Sequence, residues 1–312
     1  MADPERPRVA IAVPTFRRAA TLRRLLPLLS EEIAATTEVS ASVIVVDNDP
    51  ERSAEAIARE AACDYVAEPR RGLSAVRNTA LTAARDRGAV AVAFIDDDET
   101  PEPGWLAALV EPWLAGRADL VSGEVESVFD GPVDPWLSAG GFFRRVRFPA
   151  GARMQAAPSN NLLIDLRTAT RLALAFDERF GATGGEDIYF TRQAALRGAR
   201  IVSAPDARVL DPVAPERTRR GWVLRRAYRV GTTTAACDVL LEDSVRGRAL
   251  RRLGWAGRGA ARSAAGALRW AWGRLSRSVV HDARGARLAA RGAGMVSGAL
   301  GLRYREYSRR EV

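Results

Sequence analysis

The chain carries one histidine, two cysteines and no lysine among its 312 residues. The lone His281 lies in an arginine-rich stretch far from any acidic cluster, which excludes histidine-based triads and histidine zinc sites. Any general base must then be a carboxylate. Cys63 and Cys237 lack the CxxC spacing, so a disulfide framework is not expected and a reducing, cytoplasmic compartment is. No run approaches the ~20 apolar residues of a membrane span. The polar opening MADPERPR leads directly into a strand, so no secretory signal is expected. Every basic residue is an arginine and alanine is abundant. That is a bias of composition, so the choice of guanidinium over ammonium carries no weight.

An apolar fraction of 47% is enough for a sizeable core, and the length allows one large α/β domain with an appendage. The net charge of +9 is unevenly placed: residues 245–312 hold 16 arginines against three acidic residues, leaving the preceding part near −4. Residues 1–240 are therefore expected to form an acidic body and residues 241–312 a basic helical extension.

Residues 8–14 (RVAIAVP) form a β-branched run closed by proline and read as a buried strand. Leu22, Leu25, Leu26 and Leu29 then recur at helical spacing, with Thr21 as the expected N-cap. Further strands are expected over 41–46, 63–66 and 89–95, with helices over 53–61 and 73–87 between them. This β-α-β-α-β-α-β order predicts a parallel sheet with right-handed crossovers. Downstream, 118–128 and 160–165 read as strands and 188–196 as a helix, while 130–148 shows no clear pattern.

In such a sheet, ligands bind beyond the carboxyl ends of the strands. Polar clusters fall at three of them: Thr15 and Arg17, then Asp47 and Asn48, then Asp96, Asp97 and Asp98. Three adjacent carboxylates raise one another's pKa unless a counter-charge is present. A hard divalent cation, Mg²⁺ or Mn²⁺, held by one or two carboxylates with water and substrate phosphates would supply that charge. A solvated acidic turn is the plainer reading. Further on, Gly184 and Gly185 precede Glu186 and Asp187 at the start of a helix, where acids are favoured by the dipole and serve equally well as caps.

Taken together, VAIAVPTFRR, VIVVDNDP, GLSAVRN, FIDDDETPEPGWL, NNLLI and GGEDIYFTRQAALRGARI resemble, in order and spacing over residues 8–235, the family 2 glycosyltransferases. That large inverting group has the GT-A fold, a Rossmann-like, mostly parallel central sheet flanked by helices. The resemblance implies an inverting transfer, hexosyltransferase-like, from a nucleotide-diphosphate sugar to a hydroxyl acceptor. The acceptor would be a glycan or lipid-linked intermediate of envelope polysaccharide synthesis.

The resemblance also implies roles. Asp47 would accept the imide N–H of uracil or thymine, which makes a UDP- or dTDP-linked donor the expectation. Thr15 and Arg17 would line the nucleotide pocket, and Arg77 would lie near the base or diphosphate unless it is an exposed helical arginine. Asp96 and Asp97 would face the nucleotide sugar, and Asp98 would coordinate the metal of a DXD motif. Asp187 would be the general base, with Glu186 beside it. Asn160, Asn161 and Gly185 would line the sugar or acceptor pocket, although strand-end asparagines also serve to satisfy backbone groups. One departure stands out: many relatives carry a histidine where this chain has Asp211, which is then either a substitute metal ligand or the cap of the next helix.

Two other classes share these features. A catalytically silent nucleotide-sugar-binding protein would keep the pocket without turnover, and a Mg²⁺-dependent nucleotidyltransferase would release pyrophosphate.

In the extension, Leu250, Leu253, Ala260, Ala264, Leu268, Trp272 and Leu275 fall on one helical stripe. The arginines lie largely elsewhere, and Trp255, Trp270 and Trp272 are candidate interfacial anchors. Such a helix suits the anionic inner face of a cell membrane, as a peripheral attachment. The same stripe could instead pack on the body of the protein. A nucleic-acid partner is not expected, because no recognition motif or stacking platform accompanies the basic patch.

Overall fold

Strand β1 (Arg8–Thr15) is buried from Val9 to its end, and its alternating side chains feed two apolar layers. Val9, Ile11 and Val13 point to one side of the sheet, while Ala10 and Ala12 point to the other. β1 lies between β2 (Ser40–Asp47) and β4 (Ala91–Ile95), and β3 (Asp64–Ala67) extends the parallel block beyond β2. The expected parallel sheet is therefore present. Past β4 it continues antiparallel through β8 (Asn161–Asp165) and β6 (Leu120–Phe129). At the far edge β9 (Ile201–Val213) pairs antiparallel with β5 (Thr100–Pro101) and β7 (Arg153–Met154). The computed structural model describes residues 6–181 and 184–302, so the end of the basic extension lies outside the described residues.

Helix α1 (Ala19–Ala35) buries Leu22, Leu25, Leu26 and Leu29 against one face. Its N-cap is Arg18, and the hydroxyl of Thr21 donates back to the Arg18 carbonyl, so Thr21 sits inside the first turn rather than capping it. Glu32, buried on the same face, accepts from the Gly104 and Leu106 amides at 2.9 Å each. It thereby satisfies the exposed donors at the start of α4 (Trp105–Leu114). The opposite face carries α3 (Leu73–Asp86), whose Val76, Ala80, Leu81 and Ala84 join Phe94, Phe176 and Phe190. Phe176 stacks on Phe190 at 4.3 Å and meets Phe94 edge-on at 5.9 Å. All of the sheet except the last residues of β6 and β9 belongs to a first compact unit, residues 1–126, 146–182 and 186–211.

The second unit comprises residues 127–145, 183–185 and 212–312. Helix α8 (Arg220–Leu240) clusters with α9 (Val245–Leu275) and α10 (Val279–Ala299), and glycine is the reason. Gly259, Gly266 and Gly273 recur every seventh residue on α9 and face the α10 backbone, while Gly285 and Gly292 of α10 return the approach. Gly294 and Gly298 meet the carbonyls of Tyr228 and Thr232 on α8. These contacts leave no room for a Cβ, which is why backbones rather than leucines form the seam. Trp255 donates to Asp238 at 2.7 Å, so it is a strut between α9 and α8 and not a free anchor.

Replacing glycine by alanine inside a helix ordinarily gains up to ~1 kcal/mol. At Gly294 the new methyl would lie inside the Tyr228 carbonyl oxygen. Gly294→Ala is therefore expected to lose roughly 1–3 kcal/mol, read as a lower urea midpoint for loss of helical circular dichroism.

Candidate active site

The strand ends come together through a hydrogen-bonded line. Thr15, the register partner of Asp47, donates from Oγ1 to Asp97 Oδ2 at 2.6 Å. Arg18, which the sequence reading passed over, donates from Nη1 to Asp97 Oδ1 at 3.1 Å and also to Asp98. It thus supplies the counter-charge that an acidic turn of this kind requires. The signal lay in TFRR after one strand opposite DDDE after another.

Asp97 is buried, and loss of water raises its pKa from the ordinary 3.8 to about 6, against the opposing pull of Thr15 and Arg18. A carboxyl raised on folding favours the protonated native state. Its contribution to stability is largest below pH 4 and is lost as pH rises to about 6. Denaturation in the presence of chelator should show this fall, and Asp97→Asn should flatten it.

Asp96 and Glu99 flank that turn. Burial raises both carboxyls; Asp98 and Asp211 push Asp96 up further against the pull of Arg77, and Asp96 and Asp211 do the same to Glu99 against the Asn160 hydrogen bond. Glu99 accepts from the Asp96 amide at 3.2 Å and from the Asn160 side chain, so Asn160 does reach the acidic cluster. The pairing of Thr100 with Leu210 brings Asp211 alongside. Asp211 lies within β9 and caps no helix.

Asp98, Asp96, Glu99 and Asp211 thus offer only hard oxygen donors, two of them held unfavourably as anions. That chemistry fits a divalent cation whose shell is completed by phosphate and water. Among the described residues no three such groups already stand in ligating geometry.

Arg77 joins this turn to the start of α7 (Glu186–Leu196). Its side chain is buried, 6% exposed, which removes the reading of an exposed helical arginine. It pairs with Glu186, and its other terminal nitrogen stands 3.8 Å from Asp96, with the guanidinium 5.8 Å over the Phe176 ring. Burial nevertheless raises Glu186 to about 7, with Arg77 pulling it down and Asp187 pushing it up. Glu186 Oε2 is buried without a partner. Asp187 is only half-buried, and its Oδ1 accepts from the Ile188 amide at 2.7 Å, a helix-start contact that leaves the second oxygen outside that bond.

Two expected pocket residues are placed differently. Asp47 is fully buried. Its oxygens accept from the Asp49 and Ala54 amides at 2.9 Å each and from the Tyr65 hydroxyl at 3.2 Å. It holds the turn after β2 and is not presented to a base. Asn161 is likewise fully buried, accepting from the Trp105 indole and donating to the Glu124 and Ala207 carbonyls. It ties β8 to its neighbours and lines no pocket.

Arg17, at φ 53°, donates to Asp49 at 3.1 Å and to Glu51 at 2.7 Å. Asp49 Oδ2 is buried without a partner. Gly185, at φ 97°, belongs to the second unit, where any Cβ would strike Thr233; its freedom from a side chain answers to that packing.

A family model described as "Glycosyl transferase family 2" matches residues 10–165. The succinoglycan biosynthesis protein ExoM of Rhizobium meliloti (strain 1021) is 33% identical over 235 residues, 72% of this chain and 73% of that protein. Among solved structures, the mannosyltransferase PcManGT from Pyrobaculum calidifontis, in complex with GDP-Man and Mn²⁺, is similar over 95% of this chain and 88% of its own. Its TM-score is 0.60 at 20% identity, a likeness of fold. GalNAc-T7 with UDP, GalNAc and Mn²⁺ is similar with TM-score 0.53 and 14% identity, over 75% of this chain and 51% of that one.

Proposed function

The chain belongs to glycosyl transferase family 2, and from that premise we propose that it is an inverting enzyme. It moves a hexose from a nucleotide-diphosphate sugar to a hydroxyl of a glycan or lipid-linked intermediate in envelope polysaccharide synthesis. The observation that carries this reading is Arg77, which binds the start of the GGED helix at Glu186 and approaches the DXD turn at Asp96. One buried residue thereby holds the acid side that would face a diphosphate beside the acid side that would face an acceptor.

Asp98, Asp96 and Asp211 would hold a divalent cation, Mn²⁺ or Mg²⁺, which when bound neutralises charge on the departing diphosphate. Thr15 and Arg17 lie on the nucleotide side of that turn. Asp187 takes the acceptor's proton while the acceptor oxygen bonds to the anomeric carbon. The bond from that carbon to the diphosphate breaks on the opposite face, and the nucleoside diphosphate leaves with the electron pair. A single displacement inverts the anomeric configuration. An ordinary carboxylate is a weak base for a sugar hydroxyl, so Asp187 works through positioning and late proton transfer. Glu186, carrying a pKa near neutrality and pinned by Arg77, keeps the first turn of α7 in place.

Asp47 carried the expectation of a uracil or thymine base, and its carboxylate is already committed. A donor panel must therefore include GDP-sugars beside UDP- and dTDP-sugars. Thermal stabilisation by one donor in the presence of Mn²⁺ identifies the substrate, because a ligand of the native state alone raises apparent stability. Release of nucleoside diphosphate on adding acceptor supports the reading. Release of pyrophosphate would show a nucleotidyltransferase instead, and donor binding without turnover across an acceptor panel would show a silent binding protein. A lipid-linked acceptor places the enzyme at the inner face of the cell membrane, attached peripherally.

A further inference from the structure

The 31 residues of α9 contain eight arginines and no acidic residue. Its packed side is the glycine row, Gly259, Gly266 and Gly273, against α10. At 3.6 residues per turn, the side opposite those glycines is Leu250, Leu253, Leu268, Trp272 and Leu275, with only glycine and alanine between them. None of these five is packed: Leu253 is 71% exposed, Leu268 74%, Trp272 60% and Leu275 80%. From Leu250 to Leu275 this outer face carries no charge over a length of roughly 39 Å. Arg258, Arg262 and Arg269 run along one flank, where Arg251 is already paired with Asp238 and Glu242. No helix of the described residues is long and apolar enough to cross a membrane.

We infer that the outer face of α9 docks on an anionic phospholipid surface, lying in the interface with Leu250, Leu253, Leu268, Trp272 and Leu275 toward the acyl chains. Charge selects the occupant. A second copy would bring two helices of eight arginines each together with no acidic residue on either, and like charges brought together at an interface oppose association. Anionic headgroups complement the flank, because arginines close to such a surface are attracted to it. The exposed indole of Trp272 belongs at a boundary that is apolar on one side and wet on the other. The glycine seam makes this possible: α9 is held to α10 by its backbone, so its large apolar side chains are left for another partner. The inference rests on the membrane-peripheral reading above for its purpose only.

The test uses the full chain without donor or acceptor, so its failure and failure of the transferase reading are separately visible. Vesicles of phosphatidylcholine, with and without phosphatidylglycerol, are sedimented with the protein, and Trp fluorescence is followed. Partition onto the anionic vesicles should exceed that onto the neutral ones by roughly tenfold or more, weaken with salt, and shift Trp emission to the blue. Leu268→Glu, and separately Arg258→Gln with Arg262→Gln, should each reduce it by about tenfold while circular dichroism is unchanged. No binding, equal binding to neutral vesicles, or variants that bind as well as the parent would overturn the inference. So would a concentration-dependent dimer abolished by Leu268→Glu in a chain that ignores vesicles, or an acidic protein that competes where vesicles do not bind.

Discussion

Asp187→Asn is expected to lower kcat by about 10²–10⁴, the contribution of a positioned general base, while the dissociation constant for the donor changes little. The amide occupies the same volume and still accepts from the Ile188 amide through its carbonyl oxygen, so the start of α7 is retained. What disappears is the capacity to take a proton from the acceptor hydroxyl. Donor affinity is expected to persist because Asp96 and Asp98, the carboxylates proposed for the phosphate side, lie in a different turn. Calorimetric titration with the nucleotide sugar and a coupled assay for released nucleoside diphosphate measure the two quantities separately. An equal fall in affinity and turnover would place Asp187 on the donor side, and unchanged turnover would remove it from the chemistry.

Arg77→Met is expected to cost about 3–5 kcal/mol of stability, because it leaves Glu186 buried beside Asp187 without its compensating charge. The pair spans 109 positions of sequence, so its loss removes a long-range tie between α3 and α7 and leaves their apolar packing to hold them. Restoring neutrality with Glu186→Gln in the same chain should recover most of that loss, since a buried pair replaced whole is often close to neutral. The double-mutant cycle in urea reads that coupling directly. Were Arg77 chiefly a donor ligand, Arg77→Met would raise KM with the urea midpoint unmoved, and the second substitution would rescue nothing.

Much of the fold was legible because its strands are short β-branched runs buried on both faces. The runs ending at Thr15, Asp47 and Ile95 do not read as anything else. The acidic turn was legible for a similar reason: adjacent carboxylates at a strand end are chemically conspicuous. Which acid faces which way was not. Asp47, Asn48 and Asp49 are equally polar in sequence, yet Asp47 turns inward to two amides while Asp49 keeps a buried oxygen without a partner. The same ambiguity divided the two asparagines, with Asn160 reaching Glu99 and Asn161 locked between strands. Helix α10 is rich in glycine and alanine, and four of its seven buried residues are glycines, which hydropathy does not single out.

By itself, the sequence determined the supply of chemistry: carboxylates and arginines in place of histidine and lysine, distributed at the ends of predictable strands, with a basic segment behind them. Those features follow from composition and local spacing, which hydropathy and propensity encode. Only the tertiary structure decided that Arg77 pairs with Glu186, that Arg18 holds Asp97 and Asp98, and that glycines instead of leucines form the packed side of α9. Electrostatic partners and backbone approach depend on distances across the folded chain, and no periodicity along the chain specifies them.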